Sequence, residues 1–156
     1  MPRLEQLSEI QRKNMLYFPC HEHESAPWSP LRHELSQSKV ALVTTAGLHV
    51  RGDSPFRSGD PSYRIIPSHV DANDVLQSHA SIGFDHTAIY RDLNIVFPMD
   101  RLQELAEQGV VGCLAAQYYS FMGAQRNPQK LIDQSGPEVA RLLRDENVDV
   151  VLLTPI

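Results

Sequence analysis

Val40-Ala41-Leu42-Val43-Thr44-Thr45 is an unbroken apolar and β-branched run closed by Ala46-Gly47, the pattern of a strand buried on both faces of a parallel sheet. Val148-Asp149-Val150-Val151-Leu152-Leu153-Thr154, at the other end of the sequence, is its most strand-like run and predicts a second strand. Between them, Tyr63-Arg64-Ile65-Ile66-Pro67 and Asn94-Ile95-Val96-Phe97-Pro98 lean towards β. Each closes on a proline that cannot donate to a ladder, so edge or terminal strands are expected. A shorter strand is expected in Val110-Val111-Gly112-Cys113-Leu114-Ala115.

Helical spacing occurs in three places. Leu4, Leu7, Ile10, Met15 and Leu16 give a short docking helix near the start. Asp100 and Gln103 read as a capping box before Leu102, Leu105 and Ala106, with Gly109 as the stop. Asn127-Pro128 opens a third helical stretch through Leu131 and Ile132. Gly136-Pro137 is expected to interrupt it, and Ser135 with Glu138 reads as a second capping box before Val139, Leu142 and Leu143. Strands alternating with helices predict an α/β layered fold, Rossmann-like or flavodoxin-like, with a mainly parallel sheet. Residues 1–38 are expected to be a long Pro-rich arm, in which Trp28 serves as an anchor. Residues 39–156 are expected to be a single α/β core that is incomplete at its C-terminus.

Composition narrows the class. The 156 residues carry 14 Lys+Arg against 19 Asp+Glu, a net charge of −5 with histidine neutral, and 42% are hydrophobic. That suits one domain with a real core and argues against nucleic acid as a partner. There is no apolar run of membrane-span length and no signal-peptide pattern at Met1, so no membrane partner and a cytoplasmic location are expected. Cys20 and Cys113 lie far apart and are expected to be thiols, Cys20 the more reactive and Cys113 a small core residue. Six of the eleven prolines and three of the eight glycines fall between Pro19 and Pro67, and residues 51–61 show turn formers without a helical period. A long loop is expected there.

Ligands of open α/β sheets bind outside the carboxyl ends of the strands, so Thr44-Thr45-Ala46-Gly47 and Thr154-Pro155-Ile156 are the places to look for chemistry. Thr44, Thr45, Gly47 and His49 are candidate substrate-binding residues, because backbone N–H groups exposed after a buried strand can hold an anion. Arg51 and Arg64 are candidates to pair with a substrate carboxylate. His79, Asp85 and His86 are the catalytic candidates, since a histidine beside a carboxylate can exchange protons near neutral pH. The bland alternative is that His86 only braces its loop. Cys20-His21-Glu22-His23-Glu24 groups donors suited to zinc or another transition metal, with Cys20, His21 and His23 as candidate ligands, against the alternative of a solvated polar loop. Tyr118, Tyr119, Phe121 and Met122 are expected in the core.

Residues 41–49, 94–102 and 138–155, together with Gly59-Asp60-Pro61-Ser62-Tyr63-Arg64 and Ser120-Phe121-Met122-Gly123, resemble the selenoprotein B family of glycine, sarcosine, betaine and D-proline reductases. The resemblance implies reductive cleavage of a carbon–nitrogen bond in a small amino-acid-like substrate. It also implies a selenocysteine or cysteine carried beyond Ile156, a thioredoxin-like electron donor, and a partner subunit or homo-oligomer. A thiol or selenol at a strand end ahead of a helix would be ionised by the helix's partial positive charge. Two other readings stay open: a non-catalytic or metal-binding subunit that completes its sheet against a partner chain, and a hydrolase or lyase using His86 and Asp85.

Overall fold

The computed structural model describes residues 3–17, 22, 25–26, 28–80 and 86–156. The chain divides into two units, residues 1–30 and 31–156. In the first, helix α1 (Glu9–Leu16) forms as its apolar spacing predicts, and its N-cap Ser8 accepts from the Gln11 N–H in a capping box. Trp28, the expected anchor, is 87% exposed.

The second unit is built on strand β1 (Lys39–Thr44), whose residues Val40 to Leu42 are buried as the continuous apolar run requires. Strand β7 (Val150–Thr154) runs parallel to it along one edge, in register from Val40↔Val150 to Thr44↔Thr154. The other edge of β1 carries two parallel segments. Strand β5 (Cys113–Leu114) pairs with its start, and strand β6 (Gln117–Phe121) pairs with its end. Strand β3 (Tyr63–Pro67) lies antiparallel outside β6, an edge position that tolerates its terminal proline. The result is a mixed α/β layer with a mostly parallel sheet.

The alternation of β6 distributes its aromatics to both faces. Tyr118 packs edge-on against Phe97, whose ring centroid is 5.8 Å away, just ahead of helix α3 (Met99–Glu107). Tyr119 and Phe121 both meet Tyr63 at 6.0 Å. The Tyr63 phenol is pushed up first by burial and then by the carboxylate of Glu138, on helix α4 (Gly136–Asp145). The helices thus cover opposite faces of the sheet. Burial at full depth also pushes the Tyr118 phenol up, to about 12.

Several local expectations are corrected. Residues 94–98 do not form a strand. The Asp92 carboxylate accepts from the Asn94 N–H, folding Leu93–Ile95 into a 3₁₀ turn, because short polar side chains compete with the sheet for backbone partners. The Asp100–Gln103 capping box is absent. The side chain of Asn94 caps α3 instead, accepting from Asp100 N–H at 3.1 Å, while Gln103 donates to Glu107. Ser135 likewise caps nothing: its hydroxyl donates to the Pro61 carbonyl at 2.6 Å. Gly136-Pro137 does not break the helical stretch, because a π-helical turn at Leu131–Ser135 leads straight into α4. The strand expected at 110–115 shrinks to β5, and there Cys113 is an exposed free thiol rather than a core residue, while its neighbour Leu114 is half-buried. Residues 51–61 are irregular, as expected.

Two short strands had no sequence signal. β2 (Leu48–Val50) and β4 (Val75–Gln77) pair antiparallel in a separate ribbon, from Leu48↔Gln77 to Val50↔Val75. This ribbon carries the chain from the end of β1 towards His79 and helix α2 (His86–Arg91). Among the described residues no helix is long and apolar enough to cross a membrane.

Candidate active site at the strand ends

Thr44 and Thr154 stand opposite each other at the last register position of β1 and β7. Both hydroxyls donate to the Val96 carbonyl, at 3.1 and 2.8 Å, and the Thr44 oxygen also accepts from the Ala46 N–H. These threonines therefore lock the sheet to the loop ahead of α3. Thr45 holds the next step of chain, accepting from Ile156 N–H at 2.7 Å and donating to the Ile156 carbonyl at 3.3 Å.

The anion cradle expected from backbone N–H groups after β1 is not available. Thr45 N–H donates to Thr154, Ala46 N–H to the Thr44 hydroxyl, Gly47 N–H to Phe121 and Leu48 N–H to the Ser120 hydroxyl. All four are consumed inside the fold, so Thr44 and Gly47 act here on architecture. Gly47, at φ 66°, turns the chain sharply, and a side chain there would meet the His79 backbone at 3.1 Å.

His79 is buried against these strand ends. A Cβ at Gly123 would come within 2.8 Å of His79 Nε2, 2.7 Å of the Ile156 carbonyl oxygen and 2.9 Å of the Thr45 carbonyl oxygen. Glycine at 123 is what allows the imidazole to sit beside the ends of β1, β6 and β7. Burial holds the His79 pKa below the usual histidine range, and the positive charge that His86 would carry lowers it further. His86, at the start of α2, places Nδ1 2.7 Å from Gln77 Oε1. Gln77 in turn donates from Nε2 to the Ala46 carbonyl at 3.2 Å, so one side chain ties His86 to the exit of β1. Asp85, the third catalytic candidate, lies outside the described residues, as do Cys20, His21 and His23. Among the described residues no group of three or more His, Cys, Asp or Glu is placed to hold a metal.

Next to this cluster, a cavity of about 640 Å³ opens between the β2–β4 ribbon and α2. Leu48, Val75, Ile89 and Leu93 supply apolar wall, and His49, Gln77, Ser78 and Arg91 supply polar groups. His49 is buried with Nδ1 3.4 Å from the Ser78 hydroxyl. Burial, and secondarily the charge of Arg64, push its pKa down, so it faces the cavity as neutral imidazole near neutral pH. Arg51 pairs with Asp74 at 3.0 Å on the surface of the same ribbon. Arg64 lies elsewhere, bonded to Asp60 and the Ser54 carbonyl and stacked 4.3 Å over the Phe56 ring. Gln77 and Arg91 escaped the sequence reading; a lone glutamine and a lone arginine without a spacing motif give nothing to find.

A mostly parallel sheet with polar and ionisable groups gathered at its strand ends is the layout of an α/β ligand-binding or catalytic domain. The family model for glycine/sarcosine/betaine reductase selenoprotein B matches residues 11–156, and the chain belongs to that family. It is 41% identical over 128 residues to D-proline reductase subunit gamma of Acetoanaerobium sticklandii, covering 81% of this chain and 52% of that protein. It is 28% identical to sarcosine reductase complex component B subunit beta of Peptoclostridium acidaminophilum, over 88% of this chain and 32% of the relative. It is 27% identical to glycine reductase complex component B subunit gamma of Symbiobacterium thermophilum, over 88% of this chain and 33% of the relative. The chain thus matches about half the length of the first of these relatives and a third of the others. No solved structure matches it.

Proposed function

We propose that this chain is the substrate-holding α/β portion of a reductase subunit that cleaves a carbon–nitrogen bond in a small amino acid, with D-proline the first substrate to assay. The observation that carries the reading is the convergence of His79 and the ends of β1, β6 and β7 beside Gly123, in a chain of this family. The cavity beside it takes the carbon skeleton against Leu48, Ile89 and Leu93, and Arg91 pairs with the carboxylate. A thiol or selenol carried by the chain beyond Ile156 is delivered at the end of β7, where Thr45 fixes the last step. Cleavage moves two electrons from that group and a second thiol onto the substrate. The carbon gains a hydrogen, the amine leaves with a thiol proton taken up and passed on by Nε2 of His86, and the resulting disulfide or selenenylsulfide is reduced by a thioredoxin-like dithiol. His79, kept neutral by burial, adds no positive charge to repel the substrate ammonium.

A second reading has its own support. Val151, Leu152 and Leu153 of β7 are all exposed, with Leu153 at 67%, and among the described residues β7 pairs only with β1. That suits a binding subunit whose sheet is completed by a partner chain. The two readings separate in one assay. The natural full-length protein, purified with whatever subunits accompany it, is supplied with D-proline, glycine, sarcosine or betaine and a dithiol reductant. Dithiol-dependent turnover of D-proline, abolished by alkylation and absent without the protein, is the expected result. No turnover of any of the four by the intact complex would leave the binding-subunit reading in its place.

A further inference from the structure

We infer that Gln77 is a positioning residue that fixes His86 in one tautomer, with the proton on Nδ1 and the lone pair on Nε2. The inference rests on the proposed site but is argued from bonding alone. A glutamine amide presents a donor at one end and an acceptor at the other, and its orientation follows from its partners. The Ala46 carbonyl can only accept. It lies 3.2 Å from one end of the Gln77 amide, so that end is Nε2. The other end, 2.7 Å from His86 Nδ1, is then Oε1, a pure acceptor. A short contact between a carbonyl oxygen and a ring nitrogen requires the proton on the nitrogen. A neutral imidazole with Nδ1–H has its lone pair on Nε2. Gln77 thus transmits the fixed position of the β1 exit to the basic atom of His86, as second partners of histidines do in metal and triad sites.

Ala46 is fully buried and bridged to Met122, so the anchor of this relay is rigid. Gln77 itself is paired with Leu48 across the β2–β4 ribbon and lines the cavity. The same amide therefore sets the base and forms part of the wall beside it, which makes it the point where a substrate in the cavity meets His86.

The test reads nitrogen chemical shifts of histidine in the natural full-length protein labelled with ¹⁵N-histidine, the His86 signals being assigned by their loss in His86→Asn. The expected result above the titration range is a protonated-type Nδ1 and an unprotonated-type Nε2 for His86. That pattern persists in Gln77→Glu, whose carboxylate keeps the acceptor, and shifts towards the Nε2–H tautomer in Gln77→Leu, which offers Nδ1–H no acceptor. An Nε2–H tautomer in the unmutated protein overturns the inference without any variant having to fold, and so does an Nδ1–H tautomer unchanged in Gln77→Leu. Because the readout is a shift and not turnover, full activity in a His86 variant would overturn the proposed function and leave the tautomer assignment standing.

Discussion

Replacing His86 by alanine in the full-length protein is expected to lower dithiol-driven turnover of D-proline by roughly 10²- to 10⁴-fold, the range for removing a general acid–base residue. The amine leaving group is poor until protonated, so its proton must arrive as the bond breaks. His86 is the ionisable group that the fold positions through Gln77, at 2.7 Å, and Gln77 itself lines the cavity. KM is expected to change little, because the proposed contacts to substrate come from Arg91 and the apolar wall, which line the cavity, rather than from His86. Steady-state kinetics of His86→Ala and His86→Asn decide the matter. A loss confined to KM would make His86 a binding residue, and unchanged kcat with unchanged KM would return it to the role of a loop brace.

Gly123→Ala is expected to damage the candidate site directly. The added methyl would lie 2.7, 2.8 and 2.9 Å from the Ile156 carbonyl oxygen, the His79 ring nitrogen and the Thr45 carbonyl oxygen. Two of these three neighbours are backbone atoms, held by the mutual hydrogen bonds of Thr45 and Ile156, so relief requires the end of β7 to part from β1 or His79 to leave its seat. Overpacking of this kind costs roughly 1–3 kcal/mol. Denaturant titration of Gly123→Ala should show that loss at unchanged m-value. Turnover should fall further than stability, because the displaced groups are those of the site. Gly52→Ala is the informative comparison: φ is 98° and nothing lies within 4 Å, so it costs backbone strain of about 1–2 kcal/mol and leaves the site intact. Equal losses of activity in the two variants would contradict the role given to Gly123.

The parts of this fold that could be read from the sequence are those where one physical demand dominates. β1 and β7 announce themselves because each is an unbroken apolar, β-branched run with nothing to compete with it, although only β1 is covered as such a run requires and Val151–Leu153 of β7 stay exposed. The strand-end rule directs attention to Thr44, Thr45 and Thr154, which the sheet register places at the ends of β1 and β7. Where two demands compete, composition misled. Asn94-Ile95-Val96-Phe97 is β-branched and aromatic, yet Asp92 and Asn94 capture the backbone first. Asp100 and Ser135 stand where capping residues stand, but Asn94 already caps α3 and the Ser135 hydroxyl is taken by Pro61. β2 and β4, three residues each, are too short for any period to show. The N–H groups of Thr45, Gly47 and Leu48 are used up by Thr154, Phe121 and Ser120, which lie 72 to 109 residues away in sequence, where no local pattern reaches. Gln77 matters only through what it touches, and no local pattern carries that.

The central claim is that substrate binds at the ends of β1 and β4, against α2. Hydrogen exchange of the natural full-length protein, followed by mass spectrometry with and without saturating D-proline under non-turnover conditions lacking reductant, locates binding without relying on catalysis. Slowed exchange is expected in peptides spanning residues 44–50, 75–80 and 86–93, with the outer strand at 63–67 unchanged. Protection confined to residues 51–67 around Arg64, with none at 75–80 or 86–93, would place the substrate elsewhere and contradict that claim.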